Sequence, residues 1–71
     1  DAAKNAAALD QLWQLEQAYQ DGEKDTAREI IDKMDAAYTR DALTNETAAP
    51  LTGSAAQEYA DICDALNADE S

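Results

Sequence analysis

The larger apolar side chains of this chain recur at intervals of three and four residues, and this spacing restricts what the chain can fold into. The clearest run consists of Ala27, Ile30, Ile31, Met34, Ala37 and Tyr38. Placed about 100° apart around a helix axis, these side chains cover an arc of about 120°, the buried stripe of an amphipathic helix. No segment alternates between apolar and polar residues, and valine is absent, so strands are not expected. The predicted fold class is all-α.

Helices are predicted over about 2–20, 23–43 and 55–67. The first carries a broad apolar face formed by Ala8, Leu9, Leu12, Trp13, Leu15 and Tyr19. Asp21-Gly22 ends this helix, because glycine adopts the left-handed conformation that closes many helix C-termini. A turn this short predicts that the first two helices pack antiparallel.

The other segments are predicted to be a linker over 44–53 and a frayed tail over 68–71. Pro50 and Gly53 argue against a continuous helix through the linker. The whole chain, 1–71, is predicted to be a single domain, a small three-helix bundle made of an antiparallel helical hairpin and a third, shorter helix. The alternative is a hairpin completed by a second copy of the chain, as a homodimer, or by a different partner.

The predicted core is thin, because seventeen residues are alanine whereas leucine and isoleucine together number nine. A core of this size predicts marginal stability. Cys63 lies on the inward face of the third helix and is predicted to be a small buried apolar residue. Trp13 and Tyr19 are predicted to pack in the core. Trp13 lies at the edge of the apolar arc, so an exposed anchor for a partner is its alternative role.

Sixteen acidic residues, five basic residues and no histidine give a net charge of −11. This balance argues against direct nucleic-acid binding, which needs lysine and arginine for phosphate contacts. Without histidine, and with Cys63 as the single cysteine, no zinc site and no acid–base catalyst is predicted. The chain is therefore predicted to have no metal, no cofactor and no enzymatic activity. No run approaches about 18 apolar residues, so no membrane span is predicted.

The charge is unevenly distributed along the chain. Residues 1–40 hold nine acidic and five basic residues, whereas residues 41–71 hold seven acidic residues and no basic one. Like charges at helical spacing cost roughly 0.2–0.5 kcal/mol per pair, so helix stability does not explain this excess. The predicted partner-binding carboxylates are Asp41, Glu46, Glu58, Asp61 and Asp64, with a second stripe of Asp25, Glu29, Asp32 and Asp35 on the second helix.

Glu58, Asp61 and Asp64 follow one another at steps of three residues on the third predicted helix. Three residues of helix rise about 4.5 Å, comparable with about 3.4 Å between phosphates along one DNA strand. This pattern favours a small interaction protein that mimics nucleic acid and occupies a basic site on a larger protein. A phage or mobile-element inhibitor, such as an anti-CRISPR protein, is one instance. The alternative is that the acidic residues only keep an alanine-rich chain soluble and monomeric.

A hypothesis from another class also remains open. It is a secreted or periplasmic structural or chaperone-like helical protein that binds through an apolar face at Leu9, Trp13 and Met34. The start of the chain at Asp1, followed by two alanines, suits cleavage by a signal peptidase. An inhibitor of a nucleic-acid machine is instead expected in the cytoplasm. Binding that resists high salt favours the apolar face, and binding that salt weakens favours the acidic surface.

Overall fold

The computed structural model describes residues 2–70, and within them it contains helices and no strand. The helices are α1 (Ala2–Gln20), α2 (Lys24–Ala37), α3 (Arg40–Leu43) and α4 (Ser54–Glu70). Helix α1 packs against both α2 and α4, and α4 also contacts α2 and α3. The predicted all-α fold class and small helical bundle are therefore confirmed. Asp1 and Ser71 lie outside the described residues.

A glycine closes the turn between α1 and α2, as the sequence predicts. Gly22 has a φ of +79°, and its N–H donates a hydrogen bond of 3.2 Å to the carbonyl of Tyr19. The N–H of Glu23 donates to the carbonyl of Ala18 at 2.9 Å. Together these two bonds form a Schellman motif, which satisfies carbonyls at the end of α1. The first half of α1 shares a surface cleft with the last residue of α2, so the hairpin is antiparallel.

The helix predicted over 23–43 is divided into α2 and α3, so the prediction of one continuous helix is wrong. Tyr38 leaves the helical conformation with φ −138° and ψ 156°. Thr39 is the N-cap of α3, where its hydroxyl accepts a hydrogen bond of 3.1 Å from the backbone N–H of Ala42. A threonine hydroxyl that satisfies a free N–H at a new helix start competes with continuation of the preceding helix.

Residues 44–53 connect α3 to α4 without a helix, as predicted. The loop is closed by Gly53, which has a φ of +57° and donates a backbone hydrogen bond of 2.8 Å to the carbonyl of Glu46. Leu51 folds back from the loop into the core, where it is 1% exposed. The linker is therefore part of the packed structure.

Helix α4 is longer than the predicted 55–67 and continues through residues 68–70, which the sequence predicted to be frayed. Near its end, the Lys24 ammonium lies 2.8 Å from the Asp69 carboxylate. This ion pair holds the end of α4 beside the start of α2. The first half of α4 lies beside the end of α2, so these two helices are also antiparallel.

All four helices and the linker contribute to one core. Its largest fully buried side chains are Leu12, Leu15, Met34, Leu43, Leu51 and Tyr59. Three alanines of the helices pack against other elements of the fold, since Ala8, Ala27 and Ala56 are at most 1% exposed. An alanine at such a contact lets two helices approach closely without leaving a void. The alanine-rich composition is therefore used for packing as well as for helix formation.

Candidate functional site

Helix α4 carries a row of exposed carboxylates. We call Glu58, Asp61 and Asp64 the acidic face of α4. All three are exposed, whereas Tyr59 on the opposite side of the helix is buried. Within residues 2–70, none of the three forms an ion pair with a lysine or arginine. Asp61 instead accepts a hydrogen bond of 2.9 Å from Gln57 Nε2.

The predicted carboxylates of α2 have basic neighbours. Asp25 is exposed, with its Oδ1 3.5 Å from Arg28 Nη1. Asp32 lines a cleft of about 260 Å³ together with Arg28 and Arg40. Glu29 is exposed and has no ion pair among the residues that the structure describes. Arg28 and Arg40 therefore lie among the carboxylates of α2, which is a less purely anionic surface than the acidic face of α4.

Asp35 is used inside the fold. Its carboxylate accepts hydrogen bonds from Arg40, with Nη2 2.5 Å from Oδ2 and Nε 3.2 Å from both oxygens. The Tyr59 hydroxyl donates to Oδ1 at 2.7 Å. Burial alone raises the pKa of Asp35, but the hydrogen bonds from Arg40 and Tyr59 outweigh burial and hold this pKa below its usual range. Asp35 is thus half-buried and bonded to Arg40 and Tyr59. The prediction that it lies on the solvent face of α2 is therefore wrong.

Folding also brings basic side chains to residues 41–71, a segment that has no lysine or arginine of its own. Besides its contact with Lys24, the Asp69 carboxylate lies 3.8 Å from Arg28 Nη2. A hydrogen bond from Lys24 and the charges of both basic side chains hold the pKa of Asp69 below its usual range. The excess charge of residues 41–71 is therefore partly neutralised at the end of α4.

The remaining predicted carboxylates, Asp41 and Glu46, are exposed on α3 and on the linker. Neither forms an ion pair within the described part of the chain. The members of the predicted set that are exposed and form no ion pair within the described residues are thus the acidic face of α4, Glu29, Asp32, Asp41 and Glu46.

A groove between α1 and α4 contains Glu16, an acidic residue outside the predicted set of partner-binding carboxylates. We call it the α1–α4 groove; its volume is about 310 Å³ and its lining residues are Glu16, Tyr19, Gln20, Glu58, Asp61 and Ile62. Glu16 is half-buried, and its Oε1 is fully buried without a hydrogen-bond partner. When Glu16 and Glu58 are both ionised, neither has a proton to donate to the other. The buried oxygen then has no donor among the described residues.

Sharing one proton relieves this conflict. A hydrogen bond with Glu58, burial and the negative charge of Glu58, in that order, raise the pKa of Glu16 to about 7. Two carboxylates that face each other in a partly buried groove cannot both ionise easily, because like charges repel and burial disfavours charge. The α1–α4 groove therefore changes its charge near neutral pH.

One signal in the sequence marks Glu16. At about 100° per residue, Glu16 falls inside the apolar arc of the first helix, between Leu12 and Leu9. A carboxylate in an otherwise apolar stripe indicates a buried or functional group. Its pairing with Glu58 cannot be read from the sequence, because it depends on how α4 packs against α1.

Two aromatic side chains of α1 are exposed. Trp13 is 58% exposed and Tyr19 is 37% exposed, so the prediction that both pack in the core is wrong. The predicted apolar seam is not present as a surface, because Met34 is fully buried and Leu9 packs partly against the core. Of the three residues of this predicted seam, Trp13 is the exposed one.

Cys63 is buried, as predicted. Burial raises the pKa of its thiol, although the nearby Arg40 guanidinium acts in the opposite direction. A thiol with a raised pKa and little access to solvent is a poor nucleophile. Cys63 is therefore described best as a small core residue.

No helix within residues 2–70 is long and apolar enough to cross a bilayer. The same part of the chain has no group of three or more histidine, cysteine or carboxylate side chains arranged to hold a metal ion. Comparisons with known protein families, curated proteins and solved structures give no significant match. The site is therefore interpreted from its own residues.

Proposed function

We propose that the chain is a small non-enzymatic interaction protein that inhibits a larger protein by occupying its basic, nucleic-acid-binding site. The most specific form of this proposal is a nucleic-acid mimic that a phage or mobile element encodes, such as an anti-CRISPR protein. The observation that supports it is the acidic face of α4, which is exposed and forms no ion pair within residues 2–70.

The contrast with the internal carboxylates strengthens this proposal. Asp35 and Asp69 each contact basic side chains and join separate parts of the fold. The acidic face of α4 contacts no basic side chain within residues 2–70, and its like charges cost the helix roughly 0.2–0.5 kcal/mol per pair. An external basic surface compensates this repulsion, speeds association and makes the complex sensitive to salt.

Charge reversal on the acidic face tests the proposal. The tagged chain is used to capture its partner from native cells at about 0.1 M salt, and the complex is then exposed to duplex DNA or to about 1 M salt. We expect both treatments to release the chain. Glu58→Lys combined with Asp61→Lys is expected to abolish capture while helicity by circular dichroism persists.

The matched control is Asp10→Lys combined with Glu23→Lys, which changes the net charge equally at two exposed positions outside the proposed surface. This control is expected to retain most of the binding. Capture that survives 1 M salt, and that the double variant on α4 leaves unchanged, would contradict the proposal.

A second candidate function rests on the 58% exposure of Trp13. In this alternative, the chain is a secreted or periplasmic structural or chaperone-like helical protein that binds a partner through an apolar contact. Exposed tryptophans are enriched among the residues that dominate binding energy at protein interfaces. Binding that persists at high salt and is lost in Trp13→Ala would favour this alternative.

A further inference from the structure

The α1–α4 groove has the size and lining expected for one long side chain. Its volume of about 310 Å³ lies at the lower end of the range for ligand sites. Tyr19 and Ile62 contribute apolar surface to it, and carboxylates lie beside them. An arginine side chain matches these two parts of the groove, because it has an aliphatic stem and a charged planar head.

The buried oxygen of Glu16 points to a donor from outside the chain. Buried acceptors in native proteins almost always have a hydrogen-bond partner, but Glu16 Oε1 has no donor among the described residues when Glu16 and Glu58 are both ionised. The charged or titratable groups that line the groove with it are Glu58 and Asp61 from α4 and Tyr19 from α1. No lysine or arginine is among the lining residues, so any cation that pairs with these carboxylates would come from another molecule.

An exposed aromatic residue, Trp13, lies about one helical turn before Glu16 on α1. Trp13 precedes Glu16 by three residues on α1, and residues three apart are neighbours on a helix surface. A guanidinium group stacks on the face of an indole ring and forms paired hydrogen bonds with carboxylates. A lysine ammonium offers neither the planar stack nor the two-pronged contact.

We propose that the α1–α4 groove binds an arginine side chain presented by a basic protein partner, with the guanidinium held between Glu16 and Glu58 and its stem lying over Tyr19 and Ile62. This inference rests on the proposed function and assigns a specific anchor to it. The arginine supplies the donor that Glu16 Oε1 lacks. It also replaces the shared proton, so binding releases that proton and strengthens as the pH rises through 7.

Titration with hexa-arginine amide tests the groove directly. Binding is measured by calorimetry at about 50 mM salt, at pH 5.5 and at pH 8. We expect affinity to rise about tenfold between these pH values in the wild-type chain. Glu16→Gln is expected to remove this pH dependence and to weaken binding at pH 8 about tenfold.

Two further variants distinguish binding in the groove from non-specific attraction to exposed carboxylates. Glu29→Gln removes one exposed carboxylate on α2, and it is expected to keep the pH dependence and lose about twofold in affinity at most. Glu58→Gln is expected to weaken binding and to move the midpoint of the pH dependence to lower pH. Circular dichroism of each variant confirms that the helices are retained.

The outcomes distinguish this inference from the proposed function. If hexa-arginine binds but Glu16→Gln behaves like Glu29→Gln, the groove is not the anchor and the general acidic surface stands. If hexa-arginine does not bind the wild-type chain, the groove is not an arginine site, whereas the proposed function fails only if partner capture survives 1 M salt and charge reversal on α4. Hexa-lysine amide is expected to bind several-fold more weakly, and equal or tighter binding would overturn the assignment to arginine.

Discussion

The Tyr59 hydroxyl donates a hydrogen bond of 2.7 Å to Asp35 Oδ1 and so joins α4 to the end of α2. Arg40, which follows the break between α2 and α3, binds the same carboxylate, and its guanidinium carbon lies 5.7 Å from the centroid of the Tyr59 ring. One carboxylate therefore ties together three helices. This contact explains why an acidic residue of α2 is only partly accessible to a partner.

Removing this hydroxyl is expected to destabilise the fold. Tyr59→Phe leaves Asp35 paired with Arg40 but takes away one donor in a partly buried position. We expect the free energy of unfolding to fall by about 1–2 kcal/mol, measured by urea denaturation. The matched control is Tyr38→Phe, because the Tyr38 hydroxyl oxygen is buried without a hydrogen-bond partner. That variant is expected to be neutral or slightly stabilising, and equal losses in the two variants would contradict this role for Tyr59.

The pKa of Glu16 predicts that the fold is more stable in mildly acidic solution than at neutral pH. Because this pKa is raised from 4.5 to about 7, the folded protein binds the Glu16 proton more tightly than the unfolded chain does. The free energy of unfolding is therefore expected to fall as the pH rises from about 5 to 8. After allowance for partial exposure, the expected loss is roughly 1–2 kcal/mol.

Urea denaturation at pH 5 and pH 8 measures this change. Glu16→Gln is expected to remove most of it, whereas Glu29→Gln is expected to retain it. At more acidic pH the lowered pKa values of Asp35 and Asp69 act in the opposite direction, because the folded protein loses stability as these carboxylates become protonated. A wild-type stability that does not change between pH 5 and 8 would rule out a shared proton between α1 and α4.

Two adjacent residues of α1 are expected to respond very differently to truncation. Leu12 is fully buried, and Leu12→Ala is expected to cost about 3 kcal/mol, which in a small domain is enough to populate unfolded chains. Trp13 is 58% exposed, so Trp13→Ala is expected to cost less than about 1 kcal/mol. Thermal denaturation followed by circular dichroism compares the two. A larger loss for Trp13→Ala would place that side chain in the core, contrary to the structure.

Much of the fold could be predicted from local patterns. The repeat of Ile30, Ile31 and Met34 on one face predicts α2, and Gly22 predicts the turn before it. The break at Thr39 could not be predicted in this way. A threonine inside a helix and a threonine that caps the start of a new helix have similar neighbours in sequence. The role of Thr39 depends on whether the residues after it are more stable when they continue α2 or when they turn back onto the core.

Part of the candidate site could likewise be predicted from the sequence, and part of it could not. Composition and helical periodicity are local properties, so they alone establish the helical class, the acidic excess of residues 41–71 and the spacing of the acidic face of α4. Helix packing settled which carboxylates are already used within the fold. It brought Lys24 and Arg28 to Asp69, Arg40 and Tyr59 to Asp35, and Glu58 to Glu16. These pairings depend on how helices that are distant in sequence pack together, and electrostatic interaction depends on distance in space and on burial.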